Sequence, residues 1–238
     1  MITEYISTIT DTKFEEDFKL GIVVGCLKKM HHCGIAYNLD MEPEIIHFCG
    51  HNKTMHERQE NFFSNIIIKH SFRPMVQDSL CSFLEVLAES IDNGEIRIPY
   101  AYRYENYSDF DANNHLILDE QSNGLTCATF ILTIFHHVGI DLINLDRWPH
   151  RDEDEIKEKD TKHVFWNYKE RIDVSRDHLL KMEKEIGCKR YSPEEVAISS
   201  ALYNDSSASS EQIIESGKEL YEYIQNIEET FERRELKS

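Results

Sequence analysis

Four runs rich in Ile, Val and Phe lie between residues 18 and 72, and helical stripes take over from residue 75. Strands first and helices after point to an α+β fold, because a sheet with an apolar face must bury it under a second layer. The strand runs are Leu20 to Cys26, His32 to Tyr37, Glu44 to Cys49 and Phe62 to Lys69. Asn38-Leu-Asp-Met-Glu-Pro43 has a turn composition, so the second and third runs form a hairpin. Centring that turn between Asp40 and Met41 sets Gly34 opposite His47 and Cys33 opposite Phe48. His32 and His47 then lie diagonally on one face of the sheet, with Cys33 on the other. A slip of one residue would separate the two histidines.

The helical half is equally patterned. Val76, Leu80, Phe83, Leu84, Leu87 and Ile91 make one stripe over Met75 to Ile91, closed by Asn93-Gly94. Ile96 to Tyr100 is extended, and an aromatic, acidic loop runs on to Gly124. Cys127, Phe130, Ile131, Ile134, Phe135 and Val138 form a second stripe that stops at Gly139. His136 and His137 suit the C-terminal end of that helix dipole. Residues 1–150 are therefore expected to form one domain, with 151–238 a helical extension packed on it. Helical pieces fall near 153–187 and 193–203, and Asn204 to Ser210 is a polar linker. The last helix opens with Ser209 and Gln212 as a capping box and carries Ile213, Gly217, Leu220, Ile224, Ile227 and Phe231. Three heptads are marginal alone, so this stripe is expected to pack on its own domain; the alternative is an oligomer through a short coiled coil.

Composition removes several function classes. With 44 acidic and 26 basic side chains the net charge is -18, which disfavours nucleic acid and anionic membrane surfaces. The longest apolar run, Ala128 to Ile140, is broken by a His pair and falls short of the ~18 residues of a membrane span. The first residues show no secretory signal, and six cysteines without tight spacing suggest free thiols in a reducing cytoplasm, or export as an effector without a signal peptide. Cys33, His47, Cys49, His51 and His56 contain no zinc-binding spacing, so no metal is expected. Neither a nucleophile elbow nor a phosphate-binding loop is present.

The chemistry concentrates at Asn123-Gly-Leu-Thr-Cys127-Ala-Thr-Phe. A cysteine in the first turn of a helix meets free N–H groups and the positive end of the dipole, which favour the thiolate. The same N–H groups can hold a developing oxyanion. The alternative is a core cysteine on an apolar stripe. A nucleophile also needs a base and a group to orient that base, and the His32/His47 hairpin offers both.

His32-Cys-Gly-Ile-Ala-Tyr, Ile45-Ile-His47-Phe and Gly124-Leu-Thr-Cys127-Ala-Thr-Phe, in that order, resemble the circularly permuted NlpC-type branch of the papain-like thiol hydrolases, relatives of lecithin:retinol acyltransferase. The resemblance covers roughly residues 18–140. It implies a papain-like antiparallel sheet with packed helices, Cys127 as nucleophile, His32 as base and His47 as the orienting residue. It also implies an aromatic near the oxyanion, with Tyr100 the first candidate and Tyr102 the second, beside Thr126. The implied reaction is hydrolysis of an amide or ester in a peptide, protein or lipid through an acyl-enzyme, without metal or organic cofactor. Acyl transfer on the same fold and a catalytically silent binding module are the alternatives.

Overall fold

Ile, Val and Cys fit a pleated, buried surface, and they build the middle of the sheet. The computed structural model describes residues 2–8, 19–27, 30–38, 43–58, 64, 66–168 and 174–235. The strands are β1 (Ile6–Thr8), β2 (Leu20–Leu27), β3 (Met30–Tyr37), β4 (Glu44–Gly50), β5 (Lys53–Arg58) and β6 (Ile66–Ile68). They form one sheet in the order β1-β6-β2-β3-β4-β5, every pair antiparallel. A two-stranded ribbon, β7 (Asp109–Phe110) and β8 (Leu116–Ile117), lies within the aromatic loop. The helices are α1 (Pro74–Asp92), α2 (Cys127–His137), α3 (Asp152–Tyr168), α4 (Arg176–Lys184), α5 (Pro193–Leu202) and α6 (Ser210–Glu235). This is a mixed α+β protein.

The hairpin has the expected register: Gly34 faces His47, Ile35 faces Ile46 and Tyr37 faces Glu44. The turn centre, 39–42, lies outside the described residues, as do 62, 63 and 65 at the start of the fourth strand run. Gly34 is required by the close approach of β4, since a Cβ there would stand 2.7 Å from the Cβ of His47. Pairing of β3 with β4 runs from Tyr37 only to Gly34, and β4 is irregular between Phe48 and Gly50. The two strands therefore part just where the histidines lie.

The face carrying Cys33, Ile35, Ile46 and Phe48 is covered by α1 and α2, and α5 and α6 join the same core through Val196, Ile198, Ile213 and Leu220. Within α6, Ile213, Leu220 and Ile224 are buried in this core and Gly217 abuts Glu195 of α5. The stripe packs at home, and those three positions offer no apolar seam to a second copy. The Phe231 side chain lies outside the described residues. Among the described residues no helix is long and apolar enough to cross a membrane.

Candidate active site

Segment 99–127 delivers the cysteine. Tyr100 and Leu125 pair in parallel, and the Leu125 N–H donates to the Pro99 carbonyl at 2.9 Å. A Cβ on Gly124 would collide with that carbonyl, so only glycine lets the two stretches close. Thr126 then caps α2: its Oγ1 accepts from the Thr129 N–H at 3.1 Å, while its own N–H donates to Thr129 Oγ1 at 2.8 Å. Thr126 thus fixes the helix start, leaving Cys127 as the first residue of the helix.

Cys127 meets β3 at the point where β4 has left it. The Cys33 thiol donates to the Cys127 sulfur and is the largest influence holding that thiol well below the usual cysteine range; burial opposes it. The His32 imidazole adds its charge and a hydrogen bond, and the Cys33 backbone N–H adds another donor. Cys33 itself, fully buried, is pushed up and stays a thiol, as a donor must. A buried neighbour that reads as core is thus part of the thiolate's environment.

From His32 a relay leads across the far face of the sheet. His32 Nε2 lies 2.8 Å from His47 Nδ1, and His47 Nε2 lies 3.0 Å from Glu57 Oε2 on β5. Both histidines are buried, at 6% and 2% exposure. Burial first, then the charges of His32 and Lys53, lower His47 to about 3. It is neutral near pH 7 and suited to accept a hydrogen bond rather than to take a proton. Cys49 Sγ also approaches His47 Nδ1, at 3.3 Å.

Tyr100 stacks on Phe48 with ring centroids 6.1 Å apart and feels the Cys127 sulfur; burial, ahead of that charge, keeps its phenol protonated. Tyr102 is differently placed. Its hydroxyl donates to the Glu158 carbonyl at 3.0 Å, and its ring packs edge-on against Tyr100. The geometry therefore brings together Cys127, His32 and His47, with Tyr100 beside them; Tyr102 and Thr126 hold the frame. Glu185, 2% exposed, accepts the Tyr102 N–H at 2.9 Å and also binds Asn123, tying both sides of segment 99–127 to one carboxylate.

Of the residues considered for zinc, His56 sits on the other face between Glu44 and Asp92, 3.0 Å from each, and His51 accepts the Tyr100 N–H at 3.3 Å. His136 and His137 pair with Asp141 and Asp109, both at 2.7 Å. A cleft of about 470 Å³ lined by Tyr107, Asp141, Asn144 and Tyr203 opens at the C-terminal end of α2, away from Cys127. None of the six cysteines forms a disulfide. The chain matches no family model, no curated protein and no solved structure.

Proposed function

We propose that the protein is a cysteine hydrolase of the permuted papain-like kind, cleaving an amide or ester through an acyl-enzyme on Cys127. The observation that carries this is the unbroken chain Cys127–His32–His47–Glu57, in which each polar group meets the next. Since Nε2 of His32 is engaged by His47, Nδ1 is the nitrogen that serves the thiol. The tautomers agree along the chain: His47 gives its Nε2–H to Glu57 and accepts from His32 Nε2–H at Nδ1. His32 is thereby held with Nδ1 toward sulfur.

In the reaction the Cys127 thiolate attacks the carbonyl carbon, and the carbonyl π electrons move to oxygen. The Cys127 backbone N–H at the start of α2, with the Tyr100 hydroxyl, would hold that oxyanion. The proton on His32 Nδ1 passes to the leaving amine or alkoxide as the tetrahedral intermediate collapses to the thioester. His32 then takes a proton from water, whose hydroxide releases the acid and frees Cys127. An alcohol or amine in place of water would give acyl transfer by the same steps. Six cysteines outside any disulfide fit a reducing compartment.

Intact-mass detection of an acyl adduct from an activated ester tests the reading. Cys127→Ala should form none, and His32→Ala should slow adduct formation by at least about a hundredfold. His47→Gln, which keeps a partner for His32, should retain more activity than His47→Ala. An adduct forming in Cys127→Ala at the wild-type rate would assign the nucleophile elsewhere. A wild-type protein that forms no adduct and labels slowly at Cys127 would favour the silent binding module.

A further inference from the structure

Two groups crowd the His47 ring. His32 Nε2 lies 2.8 Å from Nδ1, while Cys49 Sγ lies 3.3 Å from Nδ1 and 3.7 Å from Nε2, beside the ring rather than on the Nδ1 lone pair. Nδ1 or Nε2 of His32 and of His47, with Sγ of Cys49, all fall within 4.8 Å of one another. Two imidazoles and a thiol converging on a common centre, two of them buried, make a soft nitrogen–sulfur donor set. Among the described residues it is the one such cluster. The hydrogen bond from His47 Nε2 to Glu57 supplies the carboxylate that typically orients a metal-binding imidazole and turns Nδ1 toward His32.

We propose that His32, His47 and Cys49 form an inhibitory site for a zinc-like divalent cation. A tetrahedral zinc ion, with bonds of about 2.0 Å to nitrogen and 2.3 Å to sulfur, sets nitrogen pairs about 3.3 Å apart and nitrogen–sulfur pairs about 3.6 Å apart. His32 and His47 thus separate by roughly 0.5 Å, and Cys49 Sγ swings from the side of the His47 ring toward their shared centre, closing on His32 from within 4.8 Å, with water in the fourth position. Thiolate and imidazole ligands favour zinc over magnesium or calcium.

The proton balance explains the inhibition. The cation takes the place of the proton on His32 Nε2 and of the proton on Cys49, and both protons go to solvent. His32 keeps one proton, on Nδ1. That proton now belongs to a neutral, metal-bound imidazole and is given up far less readily than one from an imidazolium. The leaving group then lacks its acid, although Cys127 is not itself a ligand. Metal binding is independent of the proposed hydrolase function; only the inhibition rests on it.

Cobalt(II) alone, added to the full chain after chelator treatment in a thiol-free reductant, tests the site. A thiolate-to-cobalt charge-transfer band should saturate at one equivalent and be displaced by zinc. The band should disappear in Cys49→Ala and in Cys49→Ser, each checked for native circular dichroism, and persist in Cys127→Ala. Glu57→Gln should weaken zinc binding by at least about tenfold. Zinc at ten times its dissociation constant should slow wild-type adduct formation by about tenfold. The site is overturned if no saturable band forms, if it survives both Cys49 substitutions, or if Cys127→Ala abolishes it. An absent adduct in metal-free wild type overturns the hydrolase reading instead, and leaves the cobalt result to decide the site.

Discussion

Cys33 shows how much one buried side chain can do to its neighbour. Its thiol is the strongest influence on Cys127, so Cys33→Ala should shift the pH profile of Cys127 alkylation to higher pH. Losing one hydrogen bond to a charged group, worth about 1.5 kcal/mol, reduces the reactive fraction below the inflection by roughly tenfold. Mass-spectrometric labelling in chelator, from acid to alkaline pH, measures the shift; an unmoved inflection would assign the thiolate's stability to the helix end and His32 alone. Cys127, His32 and His47 were legible in the sequence because an amphipathic helix start after Gly124 and a hairpin register place them. Cys33 and Glu57 were not. Cys33 alternates with apolar neighbours like any core residue, and Glu57 sits in a charged stretch that resembles solvated surface.

At the scale of elements, the strands of the six-stranded sheet that the sequence did not announce are its edges, β1 and β5. Lys53-Thr-Met-His-Glu-Arg58 is polar because an exposed edge needs charge to discourage further pairing, and its backbone pairing to β4 leaves no apolar signature. The central strands and α1, α2 and α6 were legible because each buries a continuous stripe. The close approach of β4 to β3, at the last pair before they part, depends on Gly34, and Gly34→Ala tests it. The added methyl would sit 2.7 Å from His47 Cβ and 2.9 Å from Ile45 Cδ1, in a fully packed layer. Overpacking of this kind costs about 1–3 kcal/mol. Adduct formation should fall more than that loss of folded protein accounts for, because His47 is pushed away from His32. Chemical denaturation with adduct kinetics on the same samples separates the two; unchanged kinetics would mean β4 yields without moving His47.

Across the whole molecule, burial sets a pH dependence that no surface charge would. Burial lowers His70 to about 4 from 6.5, outweighing the Leu20 backbone hydrogen bond that raises it. Between those values the unfolded chain binds a proton that the native chain refuses. This contribution is complete above about pH 6.5 and is lost as pH falls through 4, at most about 3 kcal/mol. Urea midpoints should drop over that interval and drop less in His70→Asn; identical slopes would place the acid sensitivity elsewhere. The long-range clamp on β3 has a different reach. His31, next to His32, pairs with Glu194, lies 2.7 Å from Gln225 and stacks on Tyr221 with centroids 4.4 Å apart. Those partners follow it by 163 and 194 positions in the chain, for Glu194 and Gln225. During synthesis, at about 5–20 residues per second, His32 waits on the order of ten seconds or more for the last of them. A growing chain therefore holds His32 and Cys127 well before it holds α5 and α6, the helices that steady β3, and the full clamp waits until Gln225 has been added.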